Sequence, residues 1–133
     1  MGKGQARGSA AVGIGSAVAV AAVIGLVVLS QLESVEAATF TVGDAGGWTF
    51  NVQSWPNGKR FRAGDILKFN YISTVHNVVV VDKGGYTNCI TPAGAKVYKS
   101  GKDLIRLPKG QSYFICNFAG HCESGMKIAV NAI

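Results

Sequence analysis

From residue 38 onward, apolar residues occur in short runs separated by turn-forming residues, with no long stretch of helical period. Residues 66–71 alternate apolar and polar positions, as expected of a strand with one buried face. Residues 77–81 are one Asn followed by an unbroken run of four Val, which is typical of a strand inside the core. Further strands are predicted at 39–42, 104–107, 113–116 and 127–130.

Turn signals divide these predicted strands. Asp-Ala-Gly-Gly at 44–47, Asp-Lys-Gly-Gly at 82–85 and Pro-Lys-Gly at 108–110 are each predicted to be turns. Many short strands joined by turns indicate an all-β sandwich or barrel and argue against an α/β sheet.

Residues 1–37 have a different character. Lys3 and Arg7 precede an uncharged stretch at 10–29 that consists of Ala, Val, Gly, Ile and Leu apart from one Ser, and Val35-Glu36-Ala37 follows with small residues at its first and last positions. This pattern predicts a secretory signal peptide that is cut after Ala37, leaving one domain at 38–133. The alternative is a signal anchor or a single transmembrane helix, since about 20 apolar residues can span a bilayer. The many small residues favour cleavage.

The segment 38–133 is basic. It holds eleven Lys or Arg against five Asp or Glu, so it carries the same net charge of +6 as the whole chain. This charge favours acidic partners, such as an acidic redox protein, anionic polysaccharide or a membrane surface. Nucleic acid is not expected, because the basic residues near 59–62 are few and the chain is predicted to be exported. The sequence has no N-glycosylation acceptor and no hydrophobic tail for a lipid anchor, so the mature form is expected to be soluble and not anchored to a membrane.

One short segment near the end of the chain carries three metal-ligand types. Cys116, His121 and Met126 follow one another at intervals of five residues. Soft sulfur donors together with imidazole select copper over magnesium, calcium or manganese, and two His, one Cys and a weak axial Met make an electron-transfer copper site. The chain has only one other histidine, His76, which would complete the set.

Each of these residues also has an ordinary interpretation. Met126 alone would be core filling, and His76 alone an exposed or hydrogen-bonded residue. The three cysteines of an exported chain can form one disulfide in three alternative ways, namely 89–116, 89–122 or 116–122, with one thiol left over. If Cys116 binds copper, Cys89 and Cys122 are left to pair. The joint pattern favours copper, because independent accidents would have to fall at these spacings.

Four other residues have possible supporting roles. Asn77, beside His76, either ties two ligand loops together or is an ordinary turn residue. Glu123 is the only carboxylate candidate for a zinc hydrolase, and a solvated loop charge is the simpler interpretation. Trp48 and Trp55 are expected to be core or surface aromatics and not electron relays.

Several motifs together resemble the phytocyanins, and within them the plantacyanins or basic blue proteins. The residues that carry this resemblance are Gly46-Gly47-Trp48-Thr49-Phe50, Phe61-Arg62-Ala63-Gly64-Asp65, His76-Asn77-Val78, Cys116-Asn117-Phe118, Gly120-His121-Cys122 and Gly125-Met126. They extend through essentially the whole of 38–133. Plantacyanins often have proline where this chain has Ala119, so a slightly looser loop is expected here.

The resemblance implies an all-β, cupredoxin-like Greek-key sandwich with short helical segments in its connections. It also implies one type 1 copper ion bound by His76, Cys116, His121 and a weak axial Met126, with Cys89 bridged to Cys122. Methionine at 126, rather than glutamine, is similar to plantacyanins and not to stellacyanins.

The implied function is that of a secreted, monomeric one-electron carrier in the apoplast or cell wall, and not an enzyme. Its redox partner is not named by any residue. The alternative is an extracellular signalling or interaction protein in which copper redox chemistry is secondary.

Overall fold

The computed structural model describes residues 36–133, and Ala37–Ile133 form one compact unit. Its strands are β1 (Thr39–Thr41), β2 (Ile66–Asn70), β3 (Val78–Val81), β4 (Val97–Tyr98), β5 (Lys102–Arg106), β6 (Gly110–Ile115) and β7 (Lys127–Ala132). The predicted signal peptide at 1–37 and its signal-anchor alternative lie almost wholly outside the described residues, and they stay predictions.

The strands form two sheets. One has the order β1-β2-β5 and the other the order β4-β3-β6-β7. β1 runs parallel to β2, whereas every other pair is antiparallel. Side chains from both sheets meet in one core cluster, which includes Leu67 and Phe69 from the first sheet and Phe114 and Ile128 from the second. The predicted all-β sandwich is therefore confirmed.

Alternation along β2 shows how the sequence pattern forms this core. Leu67 and Phe69 are fully buried, while Lys68 between them and the flanking Ile66 and Asn70 are half-buried. The Phe69 ring lies 5.3 Å from the Phe114 ring of the opposite sheet and 5.1 Å from Trp48. Trp48 is thus a core residue, and Trp55 is also buried.

All six predicted strands are present, but two of them begin earlier than predicted. β5 begins at Lys102 and β6 at Gly110, where the sequence looks polar or turn-like. Asp103 is buried inside β5 because its carboxylate accepts hydrogen bonds from Tyr71 and Ser100. β4 was not predicted, since a two-residue strand leaves almost no periodic signal.

The predicted turn at 82–85 is wrong, because Lys83–Asn88 form a short helix, α1. Asp82 caps it by accepting a hydrogen bond from the Gly85 N–H at 2.7 Å. Glycine disfavours a helix. A Cβ at Gly85, however, would lie 2.7 Å from the Ile90 carbonyl, so only glycine allows this close packing. No helix within 36–133 has the length and apolarity needed to cross a membrane.

Candidate metal centre

The strand ends place the candidate ligands at one end of the sandwich. Cys116 directly follows β6, Met126 directly precedes β7, and His76 lies two residues before β3. The Cys116 N–H donates to the Met126 carbonyl at 3.0 Å, which continues the β6–β7 pairing into the ligand segment. Because neighbouring strands of one sheet carry these residues, a rigid framework fixes their positions.

The segment between Cys116 and Met126 folds into consecutive turns that return His121 to the site. The His121 N–H donates to the Phe118 carbonyl at 3.0 Å, and the Met126 N–H donates to the His121 carbonyl at 3.1 Å. Gly120 has a φ of 81°, a left-handed conformation that favours glycine. These bonds bring His121 beside Cys116.

Three of the four predicted ligands are brought together. The Nδ1 atoms of His76 and His121 lie 3.1 Å apart, and the Cys116 Sγ lies 3.5 Å from the His121 Nδ1. All three donor atoms lie within 4.8 Å of one another. A metal about 2.0–2.3 Å from each nitrogen and sulfur would hold its donors roughly 3–4 Å apart. The spacing therefore fits one ion.

Burial separates the thiol from the imidazoles. Cys116 is fully buried and makes no disulfide, whereas His76 and His121 are only partly buried. Met126 is fully buried and belongs to the same core cluster as Cys116. The Cys116 thiol thus lies on the inner side of the site and the imidazoles on its outer side.

The His76 ring is poised to be neutral. Burial lowers the pKa of His76 below its usual 6.5, and the nearby His121 lowers it further. A neutral imidazole offers a nitrogen lone pair to a metal. The environment of His76 therefore favours the protonation state that a ligand requires.

The two ligand segments are tied together by an asparagine pair, Asn77 and Asn117. The Asn77 Nδ2 donates to the Asn117 Oδ1 at 2.6 Å, and the Asn117 N–H donates to the Asn77 Oδ1 at 3.0 Å. The Trp48 Nε1 donates to the Asn77 carbonyl at 2.9 Å. Of the two interpretations of Asn77, the structure shows the loop-tying one.

A second restraint is the disulfide between Cys89 and Cys122. Of the three pairings open to the sequence, this is the one that forms, and it leaves Cys116 as the free thiol. Cys122 directly follows His121, and Cys89 ends α1 in a left-handed conformation with φ of 54°. The bridge thus joins the ligand segment to α1.

Phe50 and Phe118 are neighbours of the imidazoles that the sequence did not identify. The Phe50 ring lies 5.5 Å from the His76 ring and 4.9 Å from the His121 ring, edge to face in both cases. The Phe118 ring lies 5.7 Å from the His121 ring. Both phenylalanines are exposed, so the outer side of the site is apolar. The only sequence signal for this role was that Phe118 lies between Cys116 and His121.

Glu123 takes no part in this cluster. Among residues 36–133 the only group of His, Cys, Asp or Glu that could hold a metal is His76, Cys116 and His121. Glu123 is exposed, which agrees with a solvated loop charge. The donor set of two imidazoles and one thiolate is that of blue copper sites, and a β-sandwich bearing it defines the class of blue copper proteins.

Known proteins agree with this class. Residues 48–126 match the family model of the plastocyanin-like domain. The basic blue protein of Cucumis sativus is 73% identical over 96 residues, which are 72% of this chain and 100% of the relative. The chemocyanin of Lilium longiflorum is 55% identical over 100 residues, which are 75% of this chain and 79% of the relative.

Solved structures give the same result. The cucumber basic protein, a blue copper protein, matches with a TM-score of 0.72 and 73% identity, over 72% of this chain and 100% of that one. Spinach plantacyanin matches with a TM-score of 0.66 and 53% identity, over the same shares. The chain belongs to the phytocyanins, the blue copper proteins with a plastocyanin-like domain. Its fold is the cupredoxin sandwich, and its His-Cys-His cluster is able to bind one copper ion.

Proposed function

We propose that this phytocyanin is a secreted one-electron carrier. In this proposal His76, Cys116 and His121 bind one copper ion, with Met126 as the weak axial ligand. The observation that carries the proposal is the convergence of three donor atoms within 4.8 Å at the end of the sandwich. Bound copper supplies a couple between Cu(I) and Cu(II) at such a site.

The protein keeps the donors in one arrangement during electron transfer. Cys116 is fixed by its backbone bond to Met126, and the asparagine pair holds the segment after Cys116 against the one after His76. Because restrained donors move little when an electron enters or leaves, the reorganisation energy of electron transfer is lowered. Four protein donors leave no open position for a substrate, so we propose a carrier and not an enzyme.

Electrons are proposed to pass through the imidazole side of the site. His76 and His121 are partly exposed, whereas Cys116 and Met126 are fully buried. Phe50 and Phe118 surround the imidazoles with apolar surface. A redox partner can therefore approach the imidazole edges with little desolvation of charged groups.

Location and partners follow from charge and from the predicted signal peptide. We propose that the mature protein acts as a monomer outside the cell, in the apoplast or cell wall. Its net charge of +6 favours an acidic redox partner, and anionic wall polysaccharide is a second candidate contact. The donor and acceptor of the electron are not identified by these residues.

Visible absorption tests the copper assignment. Copper(II)-loaded protein should show an intense charge-transfer band from the Cys116 thiolate, which a mild reductant removes and an oxidant restores. Cys116→Ser should lose this band, because a hydroxyl does not replace the thiolate donor. A matched control replaces both Cys89 and Cys122 by alanine, and this variant should keep the band. A colourless wild-type copper(II) protein would refute the proposal.

A second measurement separates electron transfer from the signalling alternative. Met126→Gln should shift the reduction potential while the fold is retained. Suppose that the variant protein had a shifted potential, and that plants carrying it showed none of the defects of a null mutant. The redox role would then not be the one that the organism uses.

A further inference from the structure

Asp65 is a buried carboxylate whose partners are both backbone amides. It is 4% exposed. Its Oδ1 accepts a hydrogen bond from the Ala38 N–H at 2.9 Å, and its Oδ2 accepts one from the Arg62 N–H at 2.8 Å. No cationic group of residues 36–133 forms an ion pair with it. A buried charge is ordinarily paired, because its desolvation is otherwise costly.

One of these two donors changes its chemistry if the chain is cut as the sequence predicts. Hydrolysis of the bond between Ala37 and Ala38 consumes one water molecule, leaves a carboxylate on Ala37 and frees the amino group of Ala38. At neutral pH that group is an ammonium ion, since an α-amino group has a pKa of about 7.7–8.0. The atom that donates to Asp65 would then carry a positive charge.

We propose that Asp65 is the binding site for the amino group generated by cleavage after Ala37. The part-buried hydrogen bond between the Ala38 amide and the buried Asp65 carboxylate would become an ion pair with an ammonium. Hydrogen bonds between two charged groups are roughly twice as strong as neutral ones. The inference rests on the proposed cleavage position and is independent of copper.

The surrounding backbone favours Ala38 over its neighbours for this contact. The Ala38 carbonyl accepts a hydrogen bond from the Ile66 N–H at 2.8 Å, so Ala38 is held on both sides as β1 begins beside β2. Ala37 is exposed and its bond to Ala38 is accessible at the edge of the fold. A cut one residue earlier would place the charge about 3.8 Å away along the chain. A cut one residue later would remove Ala38.

A relative has the same length as the chain that this cleavage would leave. Removal of 1–37 from this 133-residue chain leaves 96 residues, which equals the aligned length that covers all of the cucumber protein.

The test compares two chains that differ only at the amino terminus. One begins at Ala38 and the other keeps Glu36 and Ala37, and both are released from a fusion by a protease that leaves no extra residue. Since Ala37–Ile133 form one compact unit, both are expected to fold. At pH 7 the chain that begins at Ala38 should have an unfolding equilibrium constant roughly tenfold lower, equivalent to about 1.4 kcal/mol.

The extra stability of the chain that begins at Ala38 should decrease as the pH rises. An ammonium next to a carboxylate has a raised pKa in the folded state, so its stabilisation is fully present below the unfolded value near 8. It is lost as the pH rises through the folded value. Arginine stays charged throughout this range, so Arg106, whose guanidinium donates to the carbonyl of the neighbouring Gly64, and Arg62 add no pH dependence of their own. An advantage that does not change between pH 7 and pH 10.5 would overturn the proposal, and this measurement needs no substitution.

Asp65→Asn provides the second arm. In this variant the difference between the two chains should disappear, because the carboxylate that binds the ammonium is gone. Asp82→Asn is the matched control, since Asp82 also accepts a backbone hydrogen bond but caps α1 instead. The difference should persist there. A difference that persists in Asp65→Asn, or a secreted protein whose first residue by mass spectrometry is not Ala38, would contradict the proposal. Loss of the copper band would bear only on the carrier function.

Discussion

At the scale of single residues, the polar groups near the candidate copper site hold it in shape. The asparagine pair joins positions 40 residues apart in the chain through two hydrogen bonds. Asn77 is buried, so water cannot easily replace a lost partner. Its side chain therefore stabilises both the fold and the spacing of the ligand segments.

Asn77→Ala should lower the free energy of unfolding by about 2–3 kcal/mol, because two hydrogen bonds are lost at a buried position. It should also shift the position of the visible copper band, since the segment after Cys116 is no longer held. Asn88→Ala, at an exposed position, is the control and should change stability by no more than about 0.5 kcal/mol. Denaturant unfolding and visible spectra measure both effects. Equal stability of Asn77→Ala and wild type would show that the pair is unimportant.

Tyr71 and Asp103 form a second polar contact, in which the tyrosine hydroxyl donates to the carboxylate. Burial, and then this hydrogen bond, raise the pKa of Tyr71 from 10.0 to about 12. A raised pKa means that the folded state favours the neutral phenol. The resulting stabilisation is present below pH 10 and is lost as the pH rises through 12.

The stability difference between wild type and Tyr71→Phe should therefore shrink from pH 9 upward, with wild type the more stable at neutral pH. Phenylalanine keeps the ring and removes only the titrating hydroxyl. Chemical unfolding of both proteins across this range measures the difference. A constant gap would show that Tyr71 ionises alike in the folded and unfolded states.

At the scale of elements, the segment between β6 and β7 depends on two glycines with different surroundings. Gly120 and Gly125 both have positive φ angles, 81° and 84°. A Cβ at Gly120 would meet nothing within 4 Å, whereas one at Gly125 would lie 3.0 Å from the backbone of Asn51. At Gly125 the ligand segment packs directly against the chain near Val52, whose N–H donates to the Gly125 carbonyl.

These surroundings allow a matched pair of substitutions. Gly120→Ala should destabilise by about 1–2 kcal/mol, which is the penalty of the left-handed conformation alone. Gly125→Ala should destabilise by more, because the backbone of residue 51 must also move, and it should weaken copper binding through Met126. Thermal unfolding and copper titration of both variants test this. If the two variants lost equal stability, the backbone of residue 51 would be able to move away from a Cβ at position 125 at little cost.

Elements also show which features the sequence could predict. Strand positions followed from alternation, because each strand buries one face, as in β2. The donors His76, Cys116 and His121 were identifiable by their chemistry, and the structure brings them together. A short helix in a connection was expected from the family resemblance, but the position of α1 was missed, because it depends on a close packing of Gly85 against the Ile90 carbonyl that no residue pattern reveals. The early start of β5 was missed because the buried Asp103 depends in part on a hydrogen bond from Tyr71, 32 residues away.

At the scale of the whole molecule, the disulfide links the ligand segment to α1 across 33 residues of chain. Replacing both Cys89 and Cys122 by alanine should lower the free energy of unfolding by roughly 3–4 kcal/mol, because the unfolded chain regains the freedom of the open loop. The double replacement avoids a spare thiol that could pair with Cys116. Calorimetry of the copper-loaded protein measures the loss. An unchanged unfolding temperature would mean that the bridge adds no stability.

The pairing of distant segments around the site also sets the order of events in time. His76 and His121 are 45 residues apart, and Met126 directly precedes β7, the last strand described. Sandwiches dominated by such non-local pairing fold in milliseconds to seconds, slower than helical proteins. The donors are therefore expected to come together only after the distant strands β3 and β6 have paired. Copper should therefore bind to a chain that has already folded. The supply of copper should then set how much of the protein can carry electrons, and not whether the protein reaches its native state.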